Sequence, residues 1–367
     1  MTTSIHFASE ADEPGIRSLL RREVMPGPIR VTFEREPRYF SEEELTGEPS
    51  HTLVAIDDAS GEVVALASRS ARTVFLNGLE KRIGYLSQLR IDRRHRGQWL
   101  LSRGFKELRQ LERTASLPLC LASIVDGNSE AAGVLVRKRR KKFPVFKEIA
   151  AFHTLAISVD RARPAIDACC AVNSADSNDL HSLGEFLRNF GKDRQMFPVW
   201  SEEAIRRLAR FGLEIRDILI ARRDGSIAGV AALWDQRSFK QTVIHGYARW
   251  MRMIQPLYNA TAWARGTKRL PRSGQIVKSA YGFMICVANN EQRTFASLMR
   301  ELYNRARHQG LDRLLIGFDA RDPLLPVARS YPHILYRSRL YMVAWPGEFS
   351  ANKQLDGRPV YVDVAML

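Results

Sequence analysis

Hydrophobic and polar residues along this chain follow two patterns, the two-residue period of a strand and the three- and four-residue spacing of a helix. In the first half, the two-residue period predicts strands over residues 4–10, 51–57, 62–68, 82–91, 119–125 and 147–158. The helical spacing predicts helices after residue 15, over about 98–114 and from residue 131. This order of elements predicts an α/β fold of the α+β type, a mixed and largely antiparallel central sheet flanked by helices.

The second half repeats this order of elements, which indicates a duplicated domain. The hairpin sequence LVAIDDASGEVVALA at 53–67 has a counterpart in LIARRDGSIAGVAAL at 219–233. A strand, a helix and a strand follow in the same order as in the first half, and residues 359–367 are predicted as one more strand. We place the boundary near residue 160 and predict two domains, 1–160 and 161–367.

The composition is that of an ordinary globular protein, with 45% hydrophobic and 26% charged residues in 367. No apolar stretch approaches the roughly 20 residues that a bilayer requires, and the first 13 residues hold no hydrophobic run typical of a signal peptide. We therefore expect a cytoplasmic protein without a membrane partner. The four cysteines have no metal-ligand spacing, and we expect the adjacent Cys169 and Cys170 to be buried as small apolar residues.

The net charge of +16 permits a polyanionic partner. The positive charge is concentrated between Lys81 and Lys147, and includes the run RKRRKK at 137–142. This run is typical either of a site for phosphate groups or of a solvated helix end, and it lacks the interleaved aromatic residues that bind single strands.

The segment Arg94–Trp99, RHRGQW, joins the strand at 82–91 to the helix that follows. A strand that runs directly into a helix aims several free backbone N–H groups at one point, where the helix dipole adds partial positive charge. Gly97 allows phosphate groups to approach the backbone closely, and Arg94 and Arg96 can add charge-assisted hydrogen bonds. The segment therefore predicts a diphosphate site.

The same segment, in this order of elements, resembles the GNAT superfamily of acyl-CoA-dependent N-acyltransferases, whose signature is Gln/Arg-x-x-Gly-x-Gly/Ala. The resemblance implies two GNAT-like domains and acetyl-CoA as co-substrate. In the second half, Asn289 and Gln292 stand at the positions of Arg94 and Gly97, so we interpret that half as a degenerate copy. The cofactor-binding residues that the resemblance implies are Leu89, Ile91, Arg94, Arg96, Gly97, Gln98, Trp99 and Asn128.

The sequence departs from the family pattern at three positions. Trp99 stands where Gly or Ala is usual, and it would either crowd the diphosphate or pin the helix onto the sheet. The usual proton-donating Tyr falls near Leu135 or Val136, which cannot donate a proton. Tyr85 falls where the family often has an acidic base, and we predict it as the catalytic residue that donates a hydrogen bond or holds a water molecule. The sequence identifies no carboxylate that would deprotonate the amine.

Two functions follow from these observations. The first is transfer of an acetyl or other acyl group from acyl-CoA to the primary amine of a small molecule or peptide, by direct attack in the first half, without a metal. The chain would act alone or as a homodimer. The alternative is a catalytically silent, basic GNAT-like protein that binds nucleic acid or another polyanion. Transfer of an aminoacyl group from charged tRNA would reconcile both, but no residue points to it specifically.

Overall fold

The protein folds into fourteen described strands and eight described α-helices, in a computed structural model. The structure describes residues 2–25, 27–42, 45, 47–97, 99–114, 117, 119–137, 143–164, 166, 169–261, 269–348 and 355–367. In the first half the strands are β1 (Thr3–Phe7), β2 (Ile29–Glu34), β3 (Ser50–Asp57), β4 (Val63–Leu76), β5 (Leu79–Ile91), β6 (Cys120–Val125) and β7 (Val145–Ser158). The second half contains β8 (Ala171–Ser174), β9 (Ile218–Arg223), β10 (Ser226–Trp234), β11 (Gln241–Tyr247), β12 (Ser279–Val287), β13 (Arg313–Asp319) and β14 (His333–Ala344).

The helices are α1 (Glu13–Arg22), α2 (Leu100–Thr114), α3 (Ser129–Ala132), α4 (Leu180–Gly191), α5 (Glu202–Arg207), α6 (Arg249–Thr261), α7 (Gln292–His308) and α8 (Leu325–Arg329). The predicted helix at 131 begins slightly earlier, as α3, and continues as a π-helical turn, Gly133–Arg137. Within the described part of the chain, no helix is both long and apolar enough to cross a membrane.

Twelve of the strands form one sheet in the order β1-β3-β4-β5-β6-β14-β7-β13-β12-β10-β9-β8. Neighbouring strands are antiparallel except for two parallel pairs, β5 with β6 and β12 with β13. Strands β2 and β11, one from each half, form a separate two-stranded sheet. The mixed, largely antiparallel sheet flanked by helices confirms the predicted fold class.

The last strand of each half lies in the sheet of the other half. Strand β7 is antiparallel to β13 along the whole length of β13, from Arg313 opposite Ser158 to Asp319 opposite Phe152. Strand β14 is antiparallel to β6, with Ser338 opposite Val125, and it also pairs with β7. Strands from both sides of residue 160 therefore belong to one continuous sheet. The boundary between two domains at that residue stays a prediction from the duplicated sequence.

The two faces of the first-half sheet are covered by different helices. Ile16 and Leu19 of α1 pack with Leu66 on one face. On the opposite face, Leu100 of α2 packs with Val64.

The register between β4 and β5 shows which residues of β5 lie on the α1 face. Alternate residues of β4, starting from Leu66, stand opposite residues of β5 and share that face with them. The pairs are Leu66 with Arg90, Ser68 with Ser87, and Ser70 with Tyr85.

The last described segment, residues 355–367, crosses the sheet between the two halves. The predicted strand at 359–367 is wrong: Val360 forms a single bridge with Gln195, and the segment ends in a 3₁₀ turn, Val364–Met366. Val362 packs in one cluster with Tyr85 of the first half and Phe152 of β7. The segment therefore brings residues from the end of the chain to the α1 face of the first half.

Candidate active site

Strands β5 and β6 diverge and leave a wedge between them. In the described structure their register covers only Gly84, Tyr85 and Leu86, opposite Cys120, Leu121 and Ala122. Beyond this point β5 has a bulge. Its register with β4 shifts between Leu66 and Ser68, and Gln88 in the bulge has a φ of +56°. A bulge bends its strand away from a neighbour and exposes backbone groups. The wedge is therefore an edge to which an extended ligand can hydrogen-bond.

The two predicted strand residues of the cofactor set, Leu89 and Ile91, lie on this edge. Leu89 belongs to the bulge and is 37% exposed. Arginine side chains already reach both backbone carbonyls: Arg90 Nη1 donates to Leu89 O at 2.9 Å and Arg96 Nε to Ile91 O at 3.1 Å. An incoming ligand would pair with the strand beside these arginines.

Asp92 organises the turn that follows β5. Its Oδ1 accepts a hydrogen bond from the backbone N–H of Arg94 at 2.9 Å, and its Oδ2 accepts one from Arg94 Nη2 at 2.9 Å. The side-chain hydrogen bonds from Arg94 lower the pKa of Asp92 to about 2. The guanidinium of Arg94 also lies 3.4 Å from Glu62 Oε2.

Arg96 is also paired with carboxylates. Its Nη1 donates to Glu130 Oε2 at 2.7 Å, and its Nη2 lies 3.3 Å from Glu23 Oε2. Arg94 and Arg96 thus lie at the predicted loop, but a diphosphate would replace or share the carboxylates that contact them here.

Gly97 lies at the open point of the loop. It has a φ of +87°, and a side-chain carbon built at this position would meet nothing within 4 Å. A larger residue would therefore be strained by its backbone conformation and would occupy the open space beside the start of α2. The neighbouring predicted residue, Gln98, lies outside the described residues.

Trp99 adopts a left-handed conformation, with a φ of +60°, and its side chain is 69% exposed. The interpretation that it pins α2 onto the sheet is therefore wrong, since Leu100 fills that position. Asn128, the last predicted cofactor residue, caps α3: its Oδ1 accepts a hydrogen bond from Ala131 N at 3.1 Å. Residues 138–142 of the basic run lie outside the described part of the chain.

Tyr85 lies on the α1 face at the closed end of the wedge. It is buried, and it lines a cavity of about 20 Å³, which is enough for one water molecule. The guanidinium carbon of Arg72 lies 5.8 Å from the Tyr85 ring centroid. The cavity lining also includes Gly84 and Leu121 from the closed end, and Asp363 from the chain's last described segment.

Asp363 is the site residue that the sequence does not indicate. Its Oδ2 accepts hydrogen bonds from Met284 N and from the Tyr361 hydroxyl, each at 2.8 Å. Burial raises the pKa of this carboxyl to about 6. These hydrogen bonds and the charge of nearby Arg72 lower the pKa, but burial has the larger effect. No local motif surrounds Asp363, because only the path of the last segment across the sheet brings it to Tyr85.

The second half contains the same wedge, filled by the chain itself. Strands β12 and β13 pair over Ser279–Tyr281 and then diverge, and Met284 has a φ of +54°. The backbone N–H groups that follow are occupied: Met284 N donates to Asp363, and Ile285 N donates to the Tyr361 hydroxyl at 3.0 Å. In the described part of the chain, this last segment fills the wedge of the second half, and no such contact reaches the backbone of β5 beyond Leu86.

No protein-family model and no curated protein matches the chain. Solved structures do match it. A yeast (Saccharomyces cerevisiae) N-myristoyltransferase with bound myristoyl-CoA aligns with a TM-score of 0.65 and 9% identity, over 99% of this chain and 90% of that one. A GCN5-related N-acetyltransferase from Sphaerobacter thermophilus aligns with a TM-score of 0.58 and 13% identity, over 94% of this chain and 96% of that one.

A third match is the GCN5-related glucosamine N-acetyltransferase region of a fungal multi-domain β-N-acetylglucosaminidase, with a TM-score of 0.62 and 13% identity. It covers 93% of this chain, which spans 38% of the fungal chain. At these identities the likeness establishes the fold alone. The chain thus has the fold of the GNAT superfamily.

Proposed function

We propose that this protein is an acyl-CoA-dependent N-acyltransferase whose active site lies in the first half of the chain. The observation that carries the proposal is the difference between the two wedges. Among the described residues, Tyr361 and Asp363 fill the wedge of β12 and β13, whereas no such segment fills the wedge of β5 and β6, which leads to the loop at Gly97. An extended pantetheine arm therefore fits the first wedge.

The residues around the open wedge fit the parts of acyl-CoA. The free edge of β5, including Leu89 and Ile91, would hold the pantetheine arm, while the open cradle at Gly97 and the guanidinium groups of Arg94 and Arg96 would hold the diphosphate. When bound, acyl-CoA supplies an activated thioester carbonyl.

Asp363 is the group that we assign as general base. A carboxyl with a pKa near 6 is mostly ionised at neutral pH and is a stronger base than an ordinary aspartate. It lines the same cavity as Tyr85, whose hydroxyl would orient the amine or a bridging water. The acceptor is then a primary amine, on a peptide or a small molecule, that enters from the α1 face.

The first test is calorimetric titration of acetyl-CoA, and then of myristoyl-CoA, into the wild-type protein and into Gly97→Glu. We expect micromolar binding of at least one donor to the wild type and a loss of at least about tenfold in the variant, because a carboxylate would stand in the phosphate cradle. Gly225→Glu is the matched control, since Gly225 has a φ of +77° and equally open surroundings but lies in the β9–β10 turn. It should bind like the wild type.

If the wild type binds neither donor, the proposal is wrong. Titration of nucleic acid at two salt concentrations would then test the polyanion-binding alternative, whose affinity must fall steeply with salt.

The role of Asp363 is tested by its effect on turnover, once release of the coenzyme A thiol identifies an acceptor. We expect Asp363→Asn to lower kcat by at least about a hundredfold, the usual contribution of a general base. In the wild type, kcat should fall as pH decreases through about 6, where Asp363 is protonated. A variant with wild-type kcat would exclude Asp363 as the base.

A further inference from the structure

The two adjacent cysteines of the second half lie at the surface of the molecule. Cys169 and Cys170 precede β8 and are both half-buried, so neither is fully buried as expected, although Cys170 packs against the core. Their Sγ atoms are 3.9 Å apart, which places the two thiols side by side. Neither residue is enclosed by the core, and the two thiols are within reach of each other.

One of the two thiols faces a cation. Arg223 Nη2, at the end of β9, lies 3.3 Å from Cys169 Sγ, and it also donates to Glu291 Oε2 at 2.7 Å and to Thr294 Oγ1 at 3.1 Å. These two acceptors lie at the start of α7 and hold the guanidinium against the sulfur. Cys170 instead faces Ser297, one turn further along α7.

The two thiols consequently differ in acidity. Burial raises the pKa of Cys169, but the hydrogen bond from Arg223, together with the contacts to Thr294 and Cys170, outweighs this effect and brings its pKa below the ordinary value. Burial, together with the charge of Cys169, raises the pKa of Cys170. A more acidic thiol beside a less acidic one is the arrangement in which the first attacks and the second resolves.

The remaining cysteines provide an internal comparison. Cys120 and Cys286 are buried, and burial raises the pKa of each thiol to about 12. They are therefore protected from reagents in the folded protein.

We propose that Cys169 and Cys170 form a peroxide-sensitive dithiol, in which Cys169 is oxidised first and Cys170 closes a reversible disulfide with it. In the first step the Cys169 thiolate attacks one oxygen of hydrogen peroxide. The S–O bond forms, the O–O bond breaks, and the departing hydroxide takes up a proton to become water. In the second step Cys170 loses its proton and attacks the sulfenic sulfur. The S–S bond forms, the S–O bond of the sulfenic acid breaks, and the released hydroxide takes up that proton as the second water.

The test uses the full-length, reduced protein treated with hydrogen peroxide, alkylated after unfolding and digested with trypsin. The tryptic segment 162–188 contains Cys169 and Cys170 and no other cysteine. We expect this segment to lose two hydrogens and to escape alkylation, and we expect dithiothreitol to reverse both changes. Cys120 and Cys286 should remain fully alkylated. Oxidation of all four cysteines at similar rates would overturn the proposal.

Variants separate the two roles. In Cys170→Ser we expect a sulfenic acid on Cys169 that dimedone traps, whereas Cys169→Ser should slow oxidation of Cys170 by at least about tenfold. Arg223→Met should slow oxidation of Cys169 by about fivefold or more. Its neighbour Arg222, which pairs with Asp179, provides the control Arg222→Met, and this variant should react like the wild type. Equal rates in the two arginine variants would show that Arg223 does not activate the thiol.

Discussion

At the scale of single residues, two aspartates of the candidate site have pKa values shifted in opposite directions. Asp92 is buried beside Arg94, and the hydrogen bonds from that side chain lower its pKa to about 2. Asp363 is buried between the halves, and burial raises its pKa to about 6. At neutral pH the first is a fixed anion that caps a turn. The second lies close enough to its titration range to accept a proton.

The raised pKa of Asp363 has a consequence for stability. The folded state binds the proton of the Asp363 carboxyl more tightly than the unfolded state does. The stabilisation that this carboxyl adds to the unfolding free energy is therefore fully present below about pH 4 and is lost as pH rises through about 6. Between pH 4.5 and 7.5 we expect the unfolding free energy of Asp363→Asn, relative to wild type, to rise by about 2 kcal/mol. Urea unfolding at the two pH values measures this difference.

The matched control for this experiment is Asp58→Asn, since Asp58 is exposed. Its unfolding free energy, relative to wild type, should change by less than about 0.5 kcal/mol over the same pH interval. An unchanged difference for Asp363→Asn would mean that the carboxyl titrates as it does in the unfolded chain.

The sequence predicts the residues of the loop better than it predicts their partners. Arg94, Arg96 and Gly97 form a contiguous motif, and the structure places all three at the turn between β5 and α2. The carboxylates that contact Arg96, those of Glu23 and Glu130, come from other elements, so no spacing predicts them. Asp363 lies still further from the loop along the chain, and the local pattern of hydrophobic residues does not predict contacts over such distances.

At the scale of elements, the wedge begins where β5 and β6 still approach each other closely. Gly84 is the first of the three paired residues of β5, and a side-chain carbon built on it would lie 2.4 Å from Cys120 Sγ. Glycine is needed here for space, since its φ is not in the left-handed region.

This contact predicts that Gly84→Ala lowers the unfolding free energy by about 1–3 kcal/mol, the usual cost of overpacking. The double variant Gly84→Ala with Cys120→Ala should recover most of that loss, because the clashing sulfur is removed. Chemical denaturation of both variants, with Cys120→Ala alone as the control, measures the recovery. Additive losses would show that the sulfur is not the obstacle.

Most of the strands and helices could be predicted from their periodicity, including β5, α2 and β6 around the site. The strand pairing could not, because β14 and β6 meet across 213 residues at the pair Val125 and Ser338. Residues 359–367 read as a strand because their apolar residues alternate. They form only one bridge because Asp363 and Tyr361 hydrogen-bond to the backbone of β12.

At the scale of the whole molecule, the exchanged strands join the two halves. Strand β7 belongs to the first half in sequence, yet its two neighbours in the sheet, β13 and β14, both belong to the second. Strand β6 likewise has β14 as its antiparallel neighbour. Neither half can complete its sheet alone.

We therefore expect fragment 1–160 to lack a cooperative unfolding transition, because β7 would lose both of its neighbours, β13 and β14, and its apolar residues would be exposed. Co-expression with fragment 161–367 should restore a soluble complex that unfolds cooperatively. Circular dichroism during thermal unfolding, with gel filtration, measures both. A monomeric fragment 1–160 that unfolds in one sharp transition would contradict the expectation.

The position of β14 between β6 and β7 also affects the chain while the ribosome is still making it. The end of β7, Ser158, precedes the end of β14, Ala344, by 186 residues. At synthesis rates of about 5–20 residues per second, the nascent first half waits about 10–40 s for its missing neighbour. During that interval the two strand edges that β14 will cover, one on β6 and one on β7, are available to other nascent chains. We therefore expect newly made protein to need chaperones until translation reaches β14.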